Sequence, residues 1–369
     1  MVVSWNAIEG KSLKFDTAED VATYCKEIES IEGLEQIVLS GNTFGIEAAK
    51  AIAHSLKNQT EMKYIKFADM FTGRLKNEIP IALDEFVLVF EKMNKLIELD
   101  LSDNAFGPAG AKPLMRLIEN NRNIQILKLN NNGLGIEGAR LISLALIAAH
   151  EKNVEEGVQD NLKVIVAGRN RMESPGAGHL AKAFQAFSKS LVHIQMPQNS
   201  IRPDGISNLL NHISVCENLE FLDLQDNTFT EEGSVSLAAS LPKWPNLKHL
   251  NLGDCLLGPK GGMAVIKGLT NSNTKLERIA LFFNEINVLG AKLVPAMLKD
   301  KTELKSIELN GNNFEAECDE VDEIKLALEE LGKSDALDEL DEMEVESDVE
   351  EDEDEEVDEL ADALSKTKV

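Results

Sequence analysis

The sequence predicts an α/β solenoid in which a short strand, a turn and a helix recur about eleven times. Three observations predict it. The pattern L-x-x-L-x-L-x-x-N-x-L, with Ile, Val, Phe or Met allowed for Leu, recurs ten times between Leu34 and Phe314. Successive copies start 28 or 29 residues apart, with two longer steps of 34 and 38. Apolar residues at helical spacing follow the copies. A period of this length with this consensus is the long type of leucine-rich repeat. One unit cannot bury its own apolar face, so neighbours must stack into a continuous core. The three apolar positions supply that core. The ninth-position Asn carries an amide that can serve backbone groups where the chain leaves the strand. Its copies are Asn42, Asn104, Asn132, Asn170, Asn199, Asn227, Asn284 and Asn312, with Met70 and Cys255 standing in twice. A helix beside every strand implies a parallel sheet. The expected shape is a ribonuclease-inhibitor-like crescent, with strands on the concave side and helices on the convex side.

Residues 1–33 read as an opening strand around Leu13–Phe15 and a helix. Asp16, Thr17 and Glu19 offer a cap, and Val21, Tyr24, Cys25 and Ile28 follow at helical spacing. This truncated first repeat covers one end of the core and brings the count to eleven. In later units the helix is IEAAKAIAHSL after Asn42, AGAKPLMRLIEN after Asn104 and IEGARLISLALIAAHE after Asn132. The 38-residue step leaves HEKNVEEGVQDN, from His150, as an insertion expected in a loop beyond the helix. A last helix around 321–328 closes the stack. The repeat domain is therefore expected to span 1–334. Residues 335–369 are expected to form an acidic, largely disordered tail, because their charge density leaves too little apolar burial to offset ordering entropy.

Charge narrows the partners. Eighteen acidic residues and two lysines after residue 334 put −16 of the net charge of −27 in that segment and leave −11 on the rest. Nucleic acid would require a basic footprint, so a partner with a basic surface is expected instead. Four scattered cysteines without a C-x-x-C pattern argue against disulfides and structural zinc. The N-terminus lacks the layout of a signal peptide, and no run of about 18 apolar residues offers a membrane span. A soluble, intracellular, monomeric protein is expected. His54, His150, His179, His193, His212 and His249 sit in no H-E-x-x-H motif, and neither a G-x-S-x-G nor a P-loop pattern occurs. Any chemistry would take place in a partner's active site, with no cofactor or metal held by this chain.

Two features point to a site. The residue before the ladder position should face outward, and that row reads Gly41, Asp69, Asp103, Asn131, Arg169, Gln198, Asp226 and Asp254. A polar row is what any solvated edge requires, and it also suits a partner-binding rim. The unit beginning at Met62 breaks the repeat. It carries Met70 for Asn, inserts Thr72 to Glu78, and resumes through Ile79-Pro80, with Pro80 suited to a helix start. Gly73 frees the backbone there, and the loop is expected to present Arg74 and Lys76 toward a phosphate or carboxylate of a partner. A plain surface insertion is the alternative reading.

FADMFTGRLKNEIPIAL at 67–83, LNNNGLG at 129–135, GRNRME at 168–173 and LDLQDNTFT at 222–230 resemble the Ran GTPase-activating protein family, as do the eleven repeats and acidic tail. The resemblance runs from about residue 1 to 362 and is to the short, fungal-type form, expected to lack the C-terminal domain of animal members. It implies an activator of GTP hydrolysis on Ran, in the cytoplasm or near the nucleus, serving nucleocytoplasmic transport. Ran in its GTP form, with or without a Ran-binding protein, would be the partner, and GTP and Mg would reside on Ran. The resemblance further implies that no arginine finger reaches the phosphates. Instead Asn131 would orient the Gln of Ran, and Arg74 would serve the interface, with Lys76, Asp103, Arg169 and Asp226 as further contact candidates. A non-catalytic repeat scaffold or inhibitor is the alternative function. An acidic histone chaperone is a third, resting on the tail alone.

Overall fold

The computed structural model describes residues 2–344. It divides into two compact units, one through Leu191 and one from Val192. In the first, the strands Ser4–Trp5, Gln36–Val38, Tyr64–Lys66, Glu98–Asp100, Ile126–Lys128 and Val164–Val166 pair in parallel, each with the next. Their central residues Trp5, Ile37, Ile65, Leu99, Leu127 and Ile165 are in register and buried. Register is pinned because a one-residue slip would turn this whole row to solvent. In the second unit, His193–Gln195, Phe221–Asp223, His249–Asn251, Arg278–Ala280 and Ser306–Glu308 repeat the arrangement, with Ile194, Leu222, Leu250, Ile279 and Ile307 as the row. Each of these strands leads into a helix, and the chain is a leucine-rich-repeat solenoid.

The ladder asparagines tie each turn to the one before. Asn104 Nδ2 donates to Phe67 O at 2.8 Å and to Leu101 O at 2.9 Å, while its Oδ1 accepts from Met70 N. Asn132 Nδ2 donates to Leu101 O, and Asn132 Oδ1 accepts from Asn104 N at 3.0 Å. Cys255 does half of this job: its amide reaches Asn284 Oδ1 at 2.9 Å, and its thiol faces Leu224 O at 3.4 Å. All four cysteines are free, and burial pushes Cys216 and Cys255 up to about 12.

A second polar ladder, not anticipated from the sequence, runs along the helix C-termini. Gln59 Nε2 donates to Ile28 O, Asn121 Nδ2 to Phe90 O and Met93 O, Trp244 Nε1 to Ile213 O, and Asn273 Nδ2 to Leu241 O and Trp244 O. Lys301, its side chain fully buried, donates to Leu269 O at 3.0 Å and Ser272 O at 2.9 Å and pairs with Asp300. Each side chain adds a donor to carbonyls at the end of the preceding helix, most of which otherwise accept a single turn amide. Lys301→Met strands Ser272 O and takes a charged donor from Leu269 O, which keeps the Ser272 amide, so a loss of about 2 kcal/mol is expected. Urea unfolding should show it as a lower midpoint. Lys305→Met, which removes a surface pair with Glu277, should change stability by less than about 1 kcal/mol.

Three expectations are corrected. The first strand of the main sheet is Ser4–Trp5; Lys14–Phe15 instead pairs with Thr43–Phe44 in a separate two-stranded sheet. The helix Ala18–Ser30 begins at a Thr17–Asp20 capping box, which fixes its start as expected. The segment from His150 is not chiefly a loop. It extends the helix Gly135–Glu156, which ends at the left-handed Gly157, and Asp160 folds back onto His150 and Asn153, each at 2.8 Å. The chain also stays packed beyond 334: Ile307 N donates to Ala336 O, and the Asp338 carboxylate accepts from Leu309 N and Asn310 N. The acidic tail from 345 onward lies outside the described residues.

In the second unit the imidazole and phenyl rings of His193, Phe221 and His249 stack in register, with centroids 3.8 and 4.0 Å apart. Burial, with Arg278 and His193 adding, pushes His249 down to about 4. Unfolded, the imidazole titrates near 6.5. As pH falls from 6.5 toward 4, the unfolded chain takes up a proton that the folded chain refuses, so stability falls across that window. His249 is partly exposed, so about 2 kcal/mol is expected rather than the full shift. Chemical denaturation at pH 7 and pH 4 should show a smaller pH-dependent loss in His249→Phe than in the parent chain.

Candidate functional site

The rim residues share one backbone conformation. Asp69, Asp103, Asn131 and Arg169 in the first unit have φ of 51°, 61°, 52° and 53°, and Gln198, Asp226 and Asp254 in the second have 52°, 54° and 52°. This left-handed region costs most side chains energy and is best tolerated by Asn, Asp and Gly, which explains much of the row's composition. In the first unit, amides link successive turns: Asp69 N to Ser102 O, Asp103 N to Asn130 O at 2.8 Å, and Asn131 N to Gly168 O at 2.9 Å. Asn132 and its neighbours Asn104 and Asn170 are buried directly behind. The rim is therefore a rigid edge rather than a set of independent loops.

One side-chain pair stands on that edge. Asn131 Nδ2 donates to Asp103 Oδ1 at 2.9 Å. Asp103 and Arg169 are exposed and Asn131 is half-buried. Asp226 holds the equivalent turn of the second unit, where burial and the neighbouring Asp254 push its carboxyl up. The same row continues to Phe283, 43% exposed with φ of 50°, which the reading of rim residues overlooked. Its position before the ladder residue Asn284 was the available signal.

The irregular loop holds a correction. Arg74 does not project outward; its side chain is only 7% exposed. Its guanidinium pairs with the Asp16 carboxylate, donates through Nε to Thr43 Oγ1 at 3.0 Å, and through Nη2 to Phe15 O at 2.8 Å and Thr43 O at 3.0 Å. The fork of five donors is the physical reason, since few side chains could serve one carboxylate, one hydroxyl and two carbonyls at once. Arg74, with Lys14 behind it, holds the Asp16 carboxyl below its ordinary value. Gly45 leaves room for this seat: a Cβ there would crowd Arg74 Nη1 at 3.1 Å and Asp16 O at 3.2 Å. The loop is thereby pinned to the N-terminal cap. Thr72 Oγ1 bonds Asp69, and Gly73 turns the chain at φ 78°. Lys76 is exposed as expected, and beside it Leu75 is 64% exposed.

Comparison with known proteins bears on this edge. A family model described as Leucine Rich repeat matches residues 92–115, 120–143, 215–238 and 245–265. The Ran GTPase-activating protein 1 of Saccharomyces cerevisiae is 35% identical over 335 residues, covering 88% of this chain and 82% of that protein. The chain belongs to the Ran GTPase-activating protein family. The family's Drosophila melanogaster member is 36% identical over 317 residues, covering 85% of this chain and 53% of that protein. The Ran GTPase-activating protein 1 of Xenopus laevis is 44% identical over 198 residues, 53% of this chain and 34% of that protein. This chain thus spans about half and about a third of those two relatives. No helix among the described residues is long and apolar enough to cross a membrane.

Proposed function

We propose that the chain is a cytoplasmic GTPase-activating protein for Ran, and that it completes the hydrolytic site of Ran rather than holding one of its own. Membership of the family supports the partner, since three relatives carry that activity in their names. Such a GTPase must orient an attacking water with a Gln and stabilise charge on the transferred phosphoryl group. GTP and Mg belong to the GTPase.

The single observation that carries the mechanistic reading is the contrast between two residues. Asn131 sits on the rigid edge, half-buried and hydrogen-bonded at one end of its amide. Arg74 has four donor contacts within its own chain. Asn131 meets the Gln of Ran; Arg74 holds the 72–78 loop in place and inserts no finger. Lys76, Asp103, Arg169 and Asp226 contribute to the contact surface. The test is hydrolysis of GTP preloaded on excess Ran by a substoichiometric amount of the chain. An activator consumes the excess over many cycles. A scaffold or inhibitor binds one equivalent and leaves the rate at its intrinsic value, which would overturn the proposal.

A further inference from the structure

We infer that Asp103 sets which end of the Asn131 amide faces a partner, so that Asn131 presents a hydrogen-bond acceptor. The inference deepens, and rests on, the reading of Asn131 as the residue that meets the Gln of Ran. A carboxylate offers acceptors only. The two ends of a primary amide are nearly the same size, so packing alone selects neither. The contact between Asn131 Nδ2 and Asp103 Oδ1 at 2.9 Å does select: the opposite orientation would set oxygen against oxygen. Both residues have short side chains on left-handed turns, locked by Asp103 N to Asn130 O and Asn131 N to Gly168 O. No hydrogen bond among the described residues ends on Asn131 Oδ1. The carbonyl is the end left to a partner.

The polarity has a mechanistic consequence. An acceptor on Asn131 engages the amide nitrogen of the Gln. That leaves the Gln carbonyl to accept a proton of the attacking water, the end needed to aim it. With the Asn131 amide reversed, its nitrogen would compete for the Gln carbonyl. Asp103 is thus a positioning residue acting through Asn131.

A swap tests this by single-turnover hydrolysis on preloaded Ran, with binding to Ran carrying a non-hydrolysable analogue measured alongside. Asn131→Asp places two carboxylates in contact and should lower the rate about 100-fold. Asp103→Asn combined with Asn131→Asp restores a donor–acceptor pair and again turns an oxygen outward. It should recover at least about tenfold over Asn131→Asp alone. Asp103→Ala frees the amide to reverse and should lower the maximal rate about tenfold, with a smaller change in half-saturation. If the swap is no faster than Asn131→Asp, or if Asp103→Ala changes only half-saturation, the inference is overturned and Asp103 does no more than contribute to the contact surface. If Asn131→Ala itself keeps the full rate, the reading of Asn131 falls, and this inference with it.

Discussion

Asn131→Ala is expected to lower stimulated GTP hydrolysis about 100-fold or more while leaving binding nearly unchanged and lowering stability by only about 1 kcal/mol, the cost of Ala on a left-handed turn. The size follows from what removing one preorganised hydrogen-bonding group from a reacting centre costs in other enzymes, about 2.7–4 kcal/mol of barrier. The selectivity follows from the structure. The Asn131 side chain has one intramolecular hydrogen bond, to an exposed carboxylate, and the amide that orders the turn is Asn132, fully buried behind it. Truncating Asn131 therefore spares the ladder. Asn132→Ala should do the reverse. It strands Asn104 N and takes one of two side-chain donors from Leu101 O, lowers stability, and reaches activity only through the fold. Rates at saturating partner, compared with melting temperatures, separate the two variants.

Arg74→Ala is expected to destabilise the first unit by about 2 kcal/mol. It removes the charged donors to Phe15 O and Thr43 O and the bond to Thr43 Oγ1. Phe15 O keeps the Gly45 amide, so the loss comes from three charge-assisted hydrogen bonds and the Asp16 pair rather than from a stranded carbonyl. In a unit of this size, that corresponds to a melting shift of about 5 °C. The 72–78 loop should loosen, so half-saturation for the partner rises more than the maximal rate falls. Arg74→Lys should not rescue, because one ammonium cannot span the hydroxyl, both carbonyls and Asp16. Acid should mimic part of the effect. The Asp16 carboxyl is held below its ordinary value by Arg74, so its contribution is present above the normal Asp range and is lost as pH falls through the lowered value.

The repeat architecture was legible because it is written at fixed spacing. Ten copies of one consensus align the strand centres, and the row from Ile37 to Ile165 lies in the register the copies imply. The cap at Thr17 and the turn at Gly73 were legible because they are local chemistry, although the box partner Asp20 was not among the cap residues expected. The misses are contacts between residues far apart in sequence. Arg74 reads as an exposed base in an insertion, and only folding brings Asp16, 58 residues away, and Thr43, 31 residues away, around its guanidinium. The bond from Asn131 to Asp103, across 28 residues, is of the same kind. The Ser4–Trp5 strand was hidden because two residues carry no period. The helix through Glu156 was hidden because insertion length says nothing about whether a helix or a loop absorbs it.

The most direct test of the central claim, that Asn131 and not Arg74 acts on the chemical step, is one experiment. Single-turnover hydrolysis on Ran preloaded with GTP would be measured at saturating wild type, Asn131→Ala and Arg74→Ala, with binding to the non-hydrolysable complex measured for each. The expected result is a rate lowered about 100-fold for Asn131→Ala with binding retained. Arg74→Ala should show weakened binding and a lower melting temperature, and a maximal rate close to that of the parent chain. A collapse of the rate in Arg74→Ala with binding and melting unchanged, beside an Asn131→Ala that hydrolyses normally, would contradict the account.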